Sequence, residues 1–290
     1  MTILDQRLTA AAPAAARVRA ARVRRRLRVR PTVVLAIAWL AVVLLAALAP
    51  GLIAPGDPYA ANGADSLLGP SPAHPFGTDQ IGRDLLTRVV HGTGLSVQAT
   101  LVAVGFGLVA GGLLGLLAGT VGGWLDQLAM RFVDVLMAFP ALLLSLAFIT
   151  ALGFGTLNVA IAVGAGSIAA SARVMRAQVM RVRLSPFVEA AATSGARRLT
   201  ILRRHVLPHA IGPVLVLAVL DFGTAMLAVS SLSFLGFGAQ PPTPEWGSLV
   251  AGGRSFLGSA WWLSTLPGLV VVATVLSANR LARALEGNRR

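Results

Sequence analysis

A compact cluster of charged residues lies in the segment GTDQIGRD, and its side chains are of types that could do chemistry. The cluster consists of Asp79, Arg83 and Asp84. Asp79 and Arg83 stand four residues apart, the spacing at which an ion pair stabilises a helix by about 0.2–0.5 kcal/mol. Two interpretations are open. The cluster contacts a partner protein, or it forms an internal ion pair and helix cap that orders its own segment, and the internal interpretation is the simpler one.

Motifs typical of enzymes are missing from the sequence. The chain has no Cys, which excludes disulfides, thiolate metal sites and cysteine nucleophiles. It has no Lys, so the nucleotide-binding motif GxxxxGK[ST] cannot occur, and neither HExxH nor GxSxG is present. His205 and His209 have helical spacing, but Pro208 lies between them and no third ligand is near. We therefore expect no catalytic residue, metal site or cofactor in this chain.

The composition is that of an integral membrane protein. Of the 290 residues, 56% are hydrophobic and 12% are charged, whereas a soluble domain carries about 25% charged residues. A helix that crosses the hydrocarbon core needs roughly 20 apolar residues. The apolar runs predict six transmembrane helices, at about 32–54, 95–120, 134–153, 155–172, 214–235 and 261–282.

Small and aromatic residues indicate how these helices are placed. The run 95–120 contains six glycines and the run 155–172 contains Gly164 and Gly166. Small residues let transmembrane helices approach closely, so both runs are predicted to lie inside the bundle. The tryptophans predicted to anchor the outer membrane interface are Trp246, Trp261 and Trp262.

The arginines predict the orientation. The tail 1–31 has nine, the loop 121–133 has one, the loop 173–213 has eight and the end after residue 279 has four, whereas only Arg83, Arg88 and Arg254 fall on the other side. The positive-inside rule then places both termini and the 173–213 loop in the cytoplasm. The net charge of +14 is explained by these loops, so no nucleic acid is expected. The tail is expected to contact anionic lipid.

The chain is predicted to divide into five parts. The first apolar run is interpreted as a retained helix, because its length exceeds the 7–15 residues of a signal-peptide core. The parts are an Arg-rich cytoplasmic tail (1–31), a first transmembrane helix (32–54), an extracytoplasmic loop (55–93), a core (94–282) that contains the cytoplasmic loop 173–213, and a cytoplasmic tail (283–290).

The 173–213 loop has the pattern of a short helix followed by a second one. Ser185 is predicted to cap the first helix, Pro186 fits its first position, and Glu189 favours the helix dipole. Ala190 and Ala191 are strong helix formers, and Gly195 is predicted to end the helix in a left-handed conformation. The charge alone fits a solvated basic loop, but a short capped helix held on two longer helices indicates a docking element.

The second helix of this loop is predicted from Arg197 to Leu207, with Pro208 ending it before the next transmembrane run. Its apolar residues are spaced three and four apart, which predicts one buried face. These residues are Leu199, Leu202 and Val206.

Four segments resemble a known family. EAAATSG, followed by HVLPHAIGPVL, resembles the EAA loop of binding-protein-dependent ABC importer permeases. Three others resemble its dipeptide, oligopeptide and nickel "C" subunit branch: HPFGTDQIGRDLLTRVVHGTGLSV (74–97), DVLMAFPALLL (134–144) and SLSFLGFGAQPPTPEWGSLVAGGR (231–254). The resemblance covers about 74–280. The chain departs from it at Val229, where the family often has an acidic residue, and at its end, which lacks a Gly-Asp-Gly sequence.

The resemblance implies an all-α membrane protein with the type I ABC importer permease bundle, located in the cell membrane. Its implied partners are a second homologous permease, one or two cytoplasmic ATPase subunits that bind ATP and Mg, and an extracytoplasmic substrate-binding protein. The EAA helix would be the coupling helix that sits in a groove of an ATPase. The implied coupling residues are Ser185, Pro186, Glu189, Ala190, Ala191, Gly195, Arg197 and Arg198.

The resemblance also bears on the solute. The implied solutes are dipeptides or oligopeptides, with nickel or glutathione as alternatives. The residues that would contact the binding protein or the second permease are Asp79, Arg83 and Asp84. Asp221, inside the fifth run, is a candidate for the translocation path or for a pair with a nearby Arg. A stand-alone carrier or channel is the other alternative, but it would need more charged residues in the spans.

Overall fold

The computed structural model describes residues 31–287, so the predicted tail 1–31 (apart from Pro31) and residues 288–290 lie outside the described residues. This part of the chain is helical and contains no strand. Its helices are α1 (Pro31–Leu48), α2 (Leu85–Val121), α3 (Gly123–Ala138), α4 (Ala141–Leu152), α5 (Thr156–Arg183), α6 (Pro186–Thr193), α7 (Arg198–Phe234), α8 (Trp246–Gly252) and α9 (Trp262–Gly287).

Five of these helices are long and apolar enough to cross a membrane, namely α1, α2, α5, α7 and α9. The sixth candidate is the bent pair of α3 and α4. The all-α membrane bundle predicted from the sequence is therefore confirmed. The long helices define two ends: the Arg-rich end, where α6 joins α5 to α7, and the opposite end, where α8 joins α7 to α9.

The third predicted span, 134–153, is not one helix. Its first residues belong to α3, and the chain bends by 99° before α4 begins at Ala141. Proline lacks an amide hydrogen and pushes the preceding residue out of the helical region, so Pro140 leaves Phe139 extended at φ −97°, ψ 138°. The predicted loop 121–133 is also wrong, because α3 starts at Gly123.

Two helices are longer than predicted. The second begins at Leu85, ten residues before the predicted start, because the Asp84 side chain accepts a hydrogen bond from the Thr87 amide and caps it. The fourth continues eleven residues beyond 172 to Arg183. The predicted 173–213 loop thus consists largely of helix.

Glycines pack α2 directly against α5. Four of them recur every fourth residue and so share one face: Gly107, Gly111, Gly115 and Gly119. A Cβ at Gly115 would overlap the Ala172 carbonyl oxygen and lie 2.9 Å from Met175 Cβ. Gly105 is off this face and has nothing within 4 Å of its Cβ position. The contact is between backbones. The prediction that both helices lie inside the bundle is wrong for α2, because Leu101, Val109 and Leu113 on its other side are more than half exposed.

The helix predicted to stop at Pro208 continues through it. Helix α7 runs without a break to Phe234, and residues Leu202–Val206 form a π-helical turn. A proline ring clashes with the carbonyl four residues earlier, and a wider turn relieves that clash without ending the helix. Leu199 was predicted on a buried face but is exposed, whereas Val206 is buried.

The tryptophans near α8 belong mostly to the core. Trp246 is 0% exposed, and its Nε1 donates to the Val89 carbonyl at 3.0 Å. Trp262 is also buried, and its Nε1 donates to the Thr78 carbonyl. Predicting these two as interface anchors was wrong, because the segment between α7 and α9 folds back onto the start of α2. Trp261 is exposed.

Candidate functional site

Helix α6 begins where the sequence predicted. Ser185 has the extended conformation of an N-cap, Pro186 takes the first helical position, and Glu189 lies in the first turn. One detail of the prediction was wrong. The Ser185 hydroxyl does not cap the helix but donates backwards to the Val182 carbonyl, and so ties α6 to the end of α5.

The end of α6 is a Schellman motif. Gly195 has φ +80°, its amide donates to the Ala192 carbonyl at 3.1 Å, and the Ala196 amide donates to the Ala191 carbonyl at 3.2 Å. The left-handed end predicted at Gly195 is confirmed. A Cβ at Gly195 would have nothing within 4 Å, so only the backbone conformation selects glycine here.

One side of α6 is anchored and the other is free. Val188 is buried in a cluster with Val182, Val206 and Ala210, which belong to the two long helices on either side. The Phe187 ring lies 5.0 Å from the His209 ring, between centroids. The exposed residues of the predicted coupling set are Pro186, Glu189, Ala190, Gly195, Arg197 and Arg198.

The charge around α6 is strongly positive. Glu189 is the only acidic residue between 181 and 204, against six arginines. Arg183 donates to the carbonyls of Gly119 and Thr120 and so links the end of α5 to the end of α2. Arg197 and Arg198 form no ion pair with any described residue. The surface can therefore attract an acidic partner.

At the opposite end, Asp79 is 4% exposed and organises its own segment. Its Oδ1 accepts hydrogen bonds from the amides of Ile81 and Arg83, both at 3.0 Å. Its Oδ2 accepts one from Arg83 Nε at 2.6 Å. The internal ion pair that the sequence allowed is present.

Asp84 is engaged in the same way. Its Oδ2 accepts hydrogen bonds from the amide and hydroxyl of Thr87, and its Oδ1 lies 3.0 Å from His74 Nδ1. The two carboxylates thus bond within the chain. The predicted contact of Asp79, Arg83 and Asp84 with a binding protein or partner permease stays a prediction. Within residues 31–287, the terminal nitrogens of Arg83 donate no hydrogen bond.

Sequence reasoning missed Glu245, which is 0% exposed. Its carboxylate accepts hydrogen bonds from the amides of Gly247 and Ser248 and caps α8. Ser96 of α2 donates to it at 3.2 Å and accepts from the Trp246 amide at 3.0 Å. Burial raises the pKa of Glu245, while the two amides oppose that rise. Little in the sequence signalled this role, because Glu is not among the residue types preferred at an N-cap and Ser96 lies 149 positions away.

Asp221 is half-buried on α7 and has no ion pair with any residue between 31 and 287. The pairing with a nearby Arg that the sequence allowed is therefore not seen in this part of the chain. His209 Nδ1 lies 2.7 Å from the His205 carbonyl oxygen, one turn before it. Across the described residues, no three potential metal ligands come together.

Comparisons with known proteins agree with this geometry. Residues 111–290 match the family model described as "Binding-protein-dependent transport system inner membrane component". The dipeptide transport system permease protein DppC of Alkalihalophilus pseudofirmus is 39% identical over 84% of this chain and 80% of that protein. The glutathione transport system permease protein GsiD of Pectobacterium atrosepticum is 41% identical over 75% of this chain and 72% of that protein.

The fold is also shared with a solved structure. A chain in the crystal structure of an amino acid ABC transporter superposes with a TM-score of 0.54 at 18% identity, covering 69% of this chain and 94% of that one. At this identity the likeness concerns the fold alone. The family match extends over more than half of the sequence, and the relatives cover most of it. The chain therefore belongs to the family of binding-protein-dependent transport system inner membrane components.

Proposed function

We propose that this chain is the membrane permease subunit of an ATP-driven importer, and that α6 couples it to a cytoplasmic ATPase. The observation that carries the proposal is the capped helix at the Arg-rich end. It is anchored through Val188, exposed on its other side, and joined at each end by a short connection to a long helix of the bundle. A displacement of α6 would therefore move α5 and α7 with it.

The solute is proposed to be a dipeptide. The support is the name of the DppC relative, a dipeptide permease. Glutathione is the second candidate, because the GsiD relative is named as a glutathione permease at similar identity.

The proposed assembly contains a second homologous permease, one or two ATPase subunits that bind ATP and Mg, and an extracytoplasmic binding protein. The chain lies in the cell membrane as a multi-pass protein, and both termini and α6 face the cytoplasm. The arginine distribution supports this orientation, since 173–213 carries eight arginines and the opposite side of the membrane three. The chain itself has no ATPase site in this proposal.

Purification from native membranes in a mild detergent tests the class of protein. We expect mass spectrometry to identify a homologous permease and ATPases with nucleotide-binding motifs in the same complex. A chain that purifies alone, stays folded and drives ion-coupled uptake in liposomes would contradict the importer and indicate a solitary carrier.

The variant Glu189→Lys is expected to weaken ATPase association. Glu189 lies in the first turn of α6, where a carboxylate stabilises the helix dipole and a cation does not, and it is exposed to a partner. Asp57→Lys is the matched control, because Asp57 is an exposed acidic residue between α1 and α2. The amount of ATPase recovered per permease measures the effect. Equal recovery in both variants would count against coupling through α6.

We further propose that Asp221 lies on the translocation path. An ionisable group within a membrane helix and without an ion pair inside the described chain is typical of such a path. Asp221→Asn is expected to lower uptake by roughly tenfold, or about 1.4 kcal/mol, without changing ATPase association. Thr224→Ser, less than one turn away on an exposed position, serves as the control. Unchanged uptake by the Asn variant would remove Asp221 from the path.

A further inference from the structure

A pocket of about 230 Å³ lies at the opposite end of the bundle from α6. Residues around the start of α2 form one wall, and the segment from Pro241 to Leu263 forms the other. Gln80 links the two walls, because its Nε2 donates to the Gly252 carbonyl at 2.7 Å. The pocket is therefore built by residues far apart in the sequence.

The charged lining of this pocket has an excess of one positive charge, because Arg83 and Arg88 face it together with Asp79. The Arg88 side chain is 6% exposed. Its terminal nitrogens donate to the carbonyls of Pro58 and Pro242, but its buried Nε has no hydrogen-bond partner in the described chain and lies 3.7 Å from Asp79 Oδ2. A buried cation without full compensation favours the binding of an anion.

Arg83 supplies the donors that such an anion would meet. Its side chain is 16% exposed, and only its Nε donates a hydrogen bond, to Asp79. Its two terminal nitrogens form no hydrogen bond with any residue from 31 to 287. A guanidinium group held rigidly through Nε presents those nitrogens as a fork, which matches the two oxygens of a carboxylate.

We propose that this pocket binds a carboxylate, and that the carboxylate is an acidic side chain of the extracytoplasmic binding protein. The inference rests on the proposed function. The position and charge of the pocket select this occupant, because it lies at the end of the bundle where the proposed orientation places the binding protein, and two arginines face it against one carboxylate.

The consequence is a docking contact that depends on ionic strength. Complementary charges at an interface accelerate association and select the correct partner, and salt screens them. The Asp79 carboxylate fixes Arg83 in advance, so little side-chain freedom is lost when the partner arrives. Docking is thereby expected to require the Arg83 fork and to weaken as salt rises.

The test uses the assembled importer in lipid nanodiscs and its co-purified binding protein. Arg83→Gln is expected to weaken docking by roughly tenfold at low salt and to flatten the salt dependence. Acetate, in place of chloride at equal ionic strength, is expected to compete with docking to the wild-type importer. Arg254→Gln is the control, because it removes the same charge from an exposed residue that does not line the pocket. Arg83→Lys keeps the charge without the fork and should give an intermediate affinity.

Several results would overturn the proposal. One is equal docking by Arg83→Gln and wild type, and another is an equal loss in Arg83→Gln and Arg254→Gln, which would assign the effect to general charge. In a third, docking is unchanged in Arg83→Gln, and a dipeptide displaces acetate from the pocket while its C-terminal amide does not. The carboxylate that binds in the pocket would then belong to the solute. Failure of the proposed function is a separate result, since no binding protein would then associate with the wild-type importer.

Discussion

Gly195→Asp is expected to abolish uptake while the permease still folds and inserts into the membrane. Gly195 has φ +80°, a conformation that costs an L-residue about 1–2 kcal/mol, and Asp tolerates it better than most. No atom lies within 4 Å of the Cβ position, so the bundle is not disturbed. The side chain would instead project from the exposed end of α6, and its charge would oppose the helix dipole there. Uptake, membrane insertion and ATPase recovery measure the effect.

The chain contains a close control for this variant. Gly236 follows α7 and forms the same Schellman geometry, with φ +93° and hydrogen bonds from the Gly236 and Phe237 amides to the Ser233 and Leu232 carbonyls. Its Cβ position is also open. Gly236→Asp therefore introduces the same backbone strain at the other end of the bundle. ATPase recovery should fall only in Gly195→Asp, and an equal fall in both would indicate that strain, rather than docking, is responsible.

Gly115→Leu is expected to prevent a stable bundle from forming. The new Cβ would overlap the Ala172 carbonyl oxygen, which belongs to the backbone of α5 and cannot rotate away. Relief requires the two helices to separate along the whole glycine face, which exceeds the roughly 1–3 kcal/mol of ordinary core overpacking. The yield of folded protein in detergent and its thermal unfolding temperature measure the effect.

Gly105→Leu is the control for this second variant. It lies on the same helix but has nothing within 4 Å of its Cβ position. The residue change and its effect on helix propensity are therefore the same, and only the contact with α5 differs. Similar unfolding temperatures for the two variants would show that the close approach of α2 and α5 does not hold the bundle together.

Local patterns in the sequence predicted the features that depend on neighbouring residues. The helix α6, its first turn with Pro186 and Glu189, and its left-handed end at Gly195 all follow from spacing within ten residues. The glycine face of α2 could be predicted for the same reason, because four-residue spacing places residues on one side of a helix. The packing of α5 against this face was predicted only in part, from Gly164 and Gly166.

Features that depend on competing effects or on distant contacts could not be predicted. Two prolines in helical surroundings have different effects. Pro140 ends a helix and turns the chain, whereas the helix continues through Pro208 because a π-helical turn precedes it. The burial of Trp246 and the bonds of Glu245 require residues about 150 positions apart to meet. The pocket lined by Arg83 and Arg88 likewise lies between two segments that no local sequence pattern connects.

The continuity of α7 has a mechanical consequence for the proposed coupling through α6. The helix starts three residues after Gly195 and ends two residues before Gly236, and its 37 residues make a rod about 55 Å long. A break at Pro208 would have created a joint at which a movement of α6 could be lost. An unbroken rod would instead act as a lever, so a tilt applied at α6 would reach the far side of the bundle in the same motion.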